Sequence, residues 1–180
     1  HGFVGLYVWI FRGTPMMVQA LIIYHGLRPV LNWSPVTAGI TIISINTGAY
    51  MAEIIRAGIQ SIDKGQNEAA RSLGMTSTQT MMSIILPQAI RNSFPSIGNE
   101  FIVNIKDSSM LNVIGVIELY FQSSSVAGSL MLYVPTFIVA AILYLLLTTL
   151  ATQLLSFVEG RMNMPRSSGP SSQSVPVERV

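Results

Sequence analysis

Long apolar segments alternate with short polar ones along this chain. The apolar segments run at about 15–30, 36–59, 95–119 and 130–158, and the last contains no charged residue. A helix of roughly 20 apolar residues crosses a bilayer, so the pattern predicts four membrane-spanning helices, the first of them short. The predicted fold class is all-α, a polytopic membrane helical bundle.

A polar interruption at 66–87 separates the second apolar segment from the third. Good helix formers from Glu68 to Leu73 predict a short helix, with the acid in its first turn where the helix dipole favours it. Gly74 follows where a helix end favours positive φ. Thr76 with Gln79 three residues later has capping-box spacing and predicts a second short helix. This helix–glycine–helix elbow is too short to form a core and must lean on a partner.

Prolines and caps set the other predicted boundaries. Thr14 is a suitable N-cap and Pro15 suits the first helical position, so a helix is expected from Pro15. Pro29 is expected to stop that helix, and Pro87 to end the second arm of the elbow. The serine-rich stretch 122–128 predicts a loop.

Composition supports a membrane location. Half of the 180 residues are hydrophobic and 10% are charged, whereas soluble domains carry roughly 25% charged residues. The net charge of +2 is too small to suggest nucleic acid, and the absence of cysteine argues against a disulfide framework or thiolate metal site. The Pro- and Ser-rich residues 165–180 predict a disordered tail.

Two polar stripes are candidates for a translocation pathway. The first lies at helical spacing on the second predicted span, and the second shares one face of the third span, with Lys106 pointing away. Groups of this kind are costly in lipid and usually line water or pair with each other. We therefore expect the two stripes to face each other across a wet cavity; they comprise Asn46, Tyr50 and Glu53, and Glu100, Asn104, Asp107 and Ser108.

Simpler interpretations remain open for the charged members of these stripes. Glu53 has Arg56 three residues away, a spacing that suits a local ion pair near the membrane edge. Lys106 and Asp107 could neutralise neighbours at a helix–helix contact.

The elbow resembles the EAA loop of ABC importer permeases. The defining residues stand at the family's spacing: Glu68, Ala69 and Ala70, then Gly74, Ile84, Leu86 and Pro87. In that family the loop is the coupling helix that docks into the ATPase. The resemblance therefore implies a type I ABC importer fold with a cytoplasmic coupling elbow, and an ATPase-coupling role for Glu68, Ala69, Ala70, Gly74, Leu86 and Pro87.

Further motifs resemble the polar amino-acid branch of these permeases, the histidine, glutamine and glutamate type. They are Phe-Arg-Gly-Thr-Pro at 11–15, Thr-Gly-Ala-Tyr-Met-Ala-Glu-Ile at 47–54, and Lys-Asp-Ser-Ser at 106–109 followed by Val-Ile-Gly-Val-Ile-Glu-Leu at 113–119. The resemblance covers 3 to about 160, with Asp63 where the family often has proline. Similar members have five spans, so we expect an N-terminal truncation, with the first span preceding His1.

The resemblance implies a permease domain at 1–164 that translocates polar amino acids by ATP-driven alternating access. It implies an ABC ATPase dimer, a second permease subunit, identical or related, and an extracytoplasmic solute-binding protein as partners in a bacterial inner membrane. This subunit would perform no chemistry and bind no cofactor, because ATP and Mg²⁺ belong to the ATPase. No phosphate loop is present, since Gly65 and Gly74 lack the Gly-Lys-Ser/Thr context.

Basic residues predict the topology. Arg56, Lys64, Arg71 and Arg91 bracket the elbow, whereas the loop at 120–129 has none. Positive charge favours the cytoplasmic side, so the elbow and the C-terminus are expected inside.

Two other function classes are alternatives to an ABC importer permease. An ion-coupled secondary transporter of small polar solutes could use the acids as proton sites, but that class usually shows internal repeats. An intramembrane enzyme would need a nucleophile–base set or a metal cluster, and the two histidines, His1 and His25, are far apart.

Overall fold

The computed structural model describes residues 2–161, and no β-strand occurs among them. His1 and the predicted disordered tail at 165–180 lie outside the described residues. The helices are α1 (Gly2–Gly13), α2 (Met16–Leu31), α3 (Pro35–Gln60), α4 (Lys64–Ser72), α5 (Ser77–Thr80), α6 (Leu86–Asp107), α7 (Leu119–Leu130) and α8 (Tyr133–Arg161), with a π-helical segment at Met81–Ile85 and a 3-10 helix at Ser108–Ile114.

The first two helices meet at a sharp bend of 112°. Pro15 is the N-cap residue of α2, which therefore begins one residue later than expected. Thr14 does not cap it, because its hydroxyl donates back to the Ile10 carbonyl at 2.8 Å and completes the last turn of α1. Pro29 lies inside α2 and does not stop it. The helix ends instead at Asn32, which has φ 44° and donates its N–H to the carbonyl of Arg28.

The second arm of the elbow is continuous with α6, so the prediction that Pro87 ends a helix is wrong. Between α5 and α6 the backbone widens into a π turn, in which the Leu86 N–H reaches the Met81 carbonyl five residues back. Pro87 then occupies the first turn of α6, where its missing N–H is least costly.

The predicted span at 95–119 is not one helix. α6 ends at Asp107, and after the 3-10 helix the chain turns at Gly115, which has φ 86°. The loop expected at 122–128 is also wrong, since these residues belong to α7. The Glu118 carboxylate caps that helix by accepting from the backbone N–H groups of Tyr120 and Phe121 at 2.8 and 2.6 Å.

The buried core lies between α2, α3 and the 3-10 helix. It is built by Met16, Ala20, Tyr24, Ala38, Ile42, Leu111 and Ile114. α6 packs along α3 and α8 packs on α6 and α7, which leaves most of α8 exposed as an apolar outer surface. A helix that is apolar all round and little covered by protein suits contact with lipid or a partner subunit.

Two helices of residues 2–161, α3 and α8, are long and apolar enough to cross a membrane, and the bent α1–α2 pair meets the same requirement only when taken together. α6 is not among them, and it carries four charged residues, Arg91, Glu100, Lys106 and Asp107. Its polarity marks it as the helix with most reason to face water or other protein.

Candidate functional site

The elbow is built from local capping interactions. Asp63 is the N-cap of α4, and its Oδ1 accepts from the Gly65 N–H at 2.7 Å. Because α4 begins at Lys64, Glu68 lies beyond the first turn, and the expected acid at the helix start is not Glu68. The capping carboxylate is supplied by Asp63.

Gly74 forms the turn of the elbow as predicted, with φ 82°. The Gly74 N–H donates to the Arg71 carbonyl at 3.0 Å and the Met75 N–H donates to the Ala70 carbonyl at 3.1 Å. This pair of bonds is the Schellman motif that closes a helix at a left-handed residue. The predicted positive φ at Gly74 is confirmed.

The capping box is confirmed in the second arm. The Thr76 hydroxyl accepts from the Gln79 N–H at 3.3 Å, and the Gln79 side chain accepts from the Thr76 N–H at 2.9 Å. Arg71 ties the two arms together by donating to the Ser77 hydroxyl at 3.0 Å. Backbone hydrogen bonds thus close the end of α4 and side chains cap the start of α5, which gives the short elbow a defined shape.

The elbow presents most of its surface to the outside. Glu68, Ala69, Gly74 and Pro87 are exposed, Leu86 is half-buried, and Ala70 is buried. At the apex, Leu73 is 84% exposed. Leu73 thus places an exposed apolar side chain at the turn between the two arms.

Asn46, from the first polar stripe, is buried against α2. Its Nδ2 donates to the Gln19 Oε1 at 2.9 Å and approaches the Phe11 carbonyl at 3.4 Å. Gln19 in turn donates to the Phe11 and Thr14 carbonyls at 2.9 and 2.8 Å. The network satisfies the backbone groups freed by the α1–α2 bend.

Tyr50 and Glu53 also lie toward α1. Glu53 accepts from Arg56 through both of its oxygens, and its Oε1 lies 3.6 Å from the Arg12 guanidinium. The Arg12 guanidinium stands over the Tyr50 ring at 5.6 Å. The local Glu53–Arg56 pair considered from the sequence is therefore present.

Asn104 and Ser108 of the second stripe line a cavity of about 510 Å³ between α6, α7 and α8. Across the α3–α6 contact, Asn104 accepts from the Thr47 hydroxyl at 3.1 Å. Asn46, Tyr50 and Glu53 thus do not face this stripe within the chain; Thr47 does. Glu100 and Asp107 are half-buried, and neither forms an ion pair within residues 2–161.

Three further polar residues were missed from the sequence, and two of them, Glu118 and Tyr144, line this cavity. Glu118 accepts from the Tyr144 hydroxyl at 2.8 Å across this same cavity, and Ser93 donates to the Ile54 carbonyl at 3.3 Å where α6 meets α3. Glu118 could have been found from its position before a helix, because an acid there is a good N-cap. In the part of the chain that the structure describes, no group of His, Cys, Asp and Glu could hold a metal ion.

Comparison with known proteins decides the family. Residues 2–164 match the family described as binding-protein-dependent transport system inner membrane component. The chain belongs to this family. It is an ABC importer permease subunit, which makes it a transport protein and not an enzyme, and the prediction of an ABC importer permease is confirmed.

Curated relatives of the permease carry amino-acid transport names. It is 40% identical over 169 residues to the probable amino-acid permease protein YxeN of Bacillus subtilis (strain 168), covering 92% of this chain and 75% of the relative. It is 37% identical over 162 residues to the glutamine transport system permease protein GlnP of Escherichia coli (strain K12), covering 88% and 74%.

A solved structure supports the fold. The permease resembles a chain from the crystal structure of an amino acid ABC transporter with histidines, with a TM-score of 0.81 and 46% identity over 87% of this chain and 74% of that one. The predicted all-α fold of the type I importer kind is confirmed.

Proposed function

We propose that this permease translocates polar amino acids and that a separate ABC ATPase docks on the elbow at 66–87 from the cytoplasm. The observation that carries the proposal is the elbow itself. Its turn is held by a Schellman motif and a capping box, it carries the EAA spacing, and its apex exposes Leu73. A rigid projection of this kind can transmit a movement of its partner into α6, with which its second arm is continuous.

Some of the proposed coupling residues are exposed and would contact the ATPase, whereas others hold the elbow in place. Glu68, Ala69, Gly74 and Pro87 are available at the surface. Ala70 is 5% exposed and anchors α4 beneath the turn, and Leu86 joins the elbow to α6. A displacement of α4 by a bound partner would be passed to the second arm. Because that arm is continuous with α6, the displacement would reach the region of Asn104.

The polar face of α6 is the proposed pathway. Glu100 and Asp107 have no cationic partner among residues 2–161, and an acid in that state is costly unless it meets water or a cation. Asn104 and Ser108 border a cavity beside them. Asn46 and Tyr50 would act from the side of α3 that meets α1 and α2, and Glu53 would hold Arg12 of α1 from the end of α3. The substrate class follows from the relatives' names.

The remaining partners follow from the family. A binding-protein-dependent system needs an external solute-binding protein, and the exposed apolar face of α8 is a surface for lipid or for a second permease, identical or related. We propose that the subunit binds no cofactor, with ATP and Mg²⁺ on the ATPase. The C-terminus is proposed to be cytoplasmic.

Purification and transport test this proposal. A tagged chain isolated from its own membrane should carry an ATPase subunit, and proteoliposomes of the complex should take up labelled glutamine only with ATP and the binding protein. Leu73→Ser should reduce ATPase recovery, because it removes the exposed apolar apex. Ile117→Ser is the matched control, since Ile117 is 64% exposed in a turn distant from the elbow along the chain.

An ion-coupled transporter would give the opposite pattern. Uptake driven by a proton or sodium gradient without ATP, from a chain that recovers no ATPase, would overturn the proposal. If Leu73→Ser and wild type recover equal amounts of ATPase, the elbow apex is not part of the docking surface. That result would not contradict the assignment as an ABC importer permease.

A further inference from the structure

A cleft separates α1 from the second half of α3. Its volume is about 840 Å³, within the range of small-molecule sites. One wall is apolar, formed by α1, where Val4 is 63% and Trp9 is 73% exposed. The lining includes Val4, Val8, Trp9, Arg12, Glu53 and Arg56.

The two arginines of the cleft differ in how closely they pair with its one carboxylate. Glu53 accepts two hydrogen bonds from Arg56, whereas the Arg12 guanidinium lies 3.6 Å from the same carboxylate. Among residues 2–161, Arg12 forms no side-chain hydrogen bond, and its other neighbour is the Tyr50 ring. Two guanidinium groups against one carboxylate leave a formal charge of +1, with the Arg12 and Arg56 side chains 41% and 58% exposed.

The depth of these residues in the membrane is set by α3. The helix has 26 residues, about 39 Å at 1.5 Å per residue, which exceeds a hydrocarbon core of about 30 Å. Arg56 stands in its last two turns, with Glu53 just before them, close to where the headgroup layer begins. Trp9 beside them is a residue type enriched at this interface.

We propose that the cleft binds one anionic phospholipid. The phosphate would meet Arg12 and Arg56, since guanidinium groups pair with phosphate oxygens in a forked geometry. An acyl chain would lie along Val4, Val8 and Trp9. A zwitterionic headgroup is disfavoured because its cationic end would approach two arginines already in excess of one carboxylate. The inference needs only the membrane location that the family establishes, not the substrate or the ATPase contact.

Native mass spectrometry of the complete importer in phosphatidylglycerol or phosphatidylcholine nanodiscs tests the site. Wild type is expected to retain one phosphatidylglycerol per permease more strongly than phosphatidylcholine. Arg12→Gln and Arg56→Gln should each reduce that retention about fivefold, as expected for one basic residue near an anionic lipid. Arg28→Gln is the matched control, because Arg28 also lies over a tyrosine ring, Tyr24 at 5.4 Å, but outside the cleft.

Two additional measurements distinguish lipid binding from a structural role of Arg12 and from a site for free phosphate. Arg12→Lys keeps the charge but not the forked pairing, so it should retain more phosphatidylglycerol than Arg12→Gln and less than wild type; a purely structural role of the guanidinium would give the same loss with either substitution. Inorganic phosphate added at millimolar concentration should not displace the lipid if the apolar wall contributes. Equal retention of both lipids by wild type, an equal loss with Arg28→Gln, or displacement by free phosphate would each overturn the proposal.

Discussion

Gly74 holds the turn of the elbow in a conformation that other residues adopt at a cost. Its φ of 82° is left-handed, and a Cβ added there would meet no atom within 4 Å. Gly74→Ala should therefore act through the backbone alone, by roughly 1–2 kcal/mol. We expect ATP-coupled transport and ATPase stimulation to fall several-fold while the amount of permease in the membrane stays unchanged.

Gly128→Ala is the matched control for this change. Gly128 also has open space around its Cα, but it lies inside α7 without a positive φ, so alanine should be neutral or stabilising there. Transport rates measured on both variants in the same proteoliposomes separate turn geometry from the mere addition of a methyl group. Full coupled turnover with Gly74→Ala would contradict the role of the turn.

Single cysteines test the polar face of α6, because the chain contains none of its own. Asn104→Cys and Ser108→Cys should react with a water-soluble thiol reagent, since both positions line the 510 Å³ cavity. Ile105→Cys should react as well, because Ile105 borders the same cavity. The control is Leu146→Cys on the apolar outer surface of α8, where Leu146 is 54% exposed and lipid should suppress the thiolate. Labelling as slow at 104 and 108 as at 146 would remove the cavity from the water-accessible pathway.

At the scale of elements, α3 and α6 approach closely because Gly58 has no side chain. A Cβ there would lie 2.9 Å from the Ala89 carbonyl oxygen and would overlap the Ser93 hydroxyl. Gly58→Ala should lower the free energy of unfolding by about 1–3 kcal/mol, measured as a loss of thermal stability in detergent. Adding Ser93→Gly should recover part of this loss, because it removes the nearest atoms but not the carbonyl. No recovery in the double variant would show that the backbone contact alone sets the spacing.

The elements predicted well from sequence are those whose ends are fixed by neighbouring residues. Thr76 with Gln79, and Gly74 after its helix, form hydrogen bonds within a few residues of themselves, so local spacing is sufficient information. The predictions at Pro87 and at the serines of α7 were wrong because the energetic cost of placing proline or serine in a helix depends on the neighbouring backbone. At Pro87, the preceding π turn lets the helix continue with the proline in the first turn of α6. In α7, the Ser123 hydroxyl donates to the Leu119 carbonyl at 2.8 Å and is compatible with the helix.

The candidate pathway was also predicted only as far as local spacing allowed. Helical spacing placed Asn46, Tyr50 and Glu53 on one face, but spacing does not say which neighbour that face meets. The bend between α1 and α2 brings Gln19 and Arg12 onto it, and that bend is a tertiary feature. The acids of α6 could be recognised from sequence because a charge in an apolar helix is conspicuous. Their neighbours Glu118 and Tyr144 come from elements further along the chain.

At the scale of the whole molecule, packing places the end of α8 near the elbow end of α6. α8 runs antiparallel to α6: Gly98 faces Leu155, while Asn104, further from the elbow, shares a cavity with Tyr144 and Leu147. Arg161 therefore lies toward the elbow end of α6. The two regions should occupy the same side of the membrane.

The side itself is predicted by the basic residues. Arg56, Lys64, Arg71 and Arg91 surround the elbow, none lies at 121–129, and short loops near span ends are where such bias sets orientation. A reporter that fluoresces only in the cytoplasm should be bright when fused after Arg166 and dark when inserted at Met131, where the chain turns between α7 and α8 with φ 56°. The full-length gene should be used, so that every native span takes part in insertion. An insertion between Ser61 and Asp63 is the internal control and should be bright, because it shares the elbow's side. A dark tail fusion with a bright insertion at Met131 would reverse the topology, and an ATPase could then not reach the elbow from the cytoplasm.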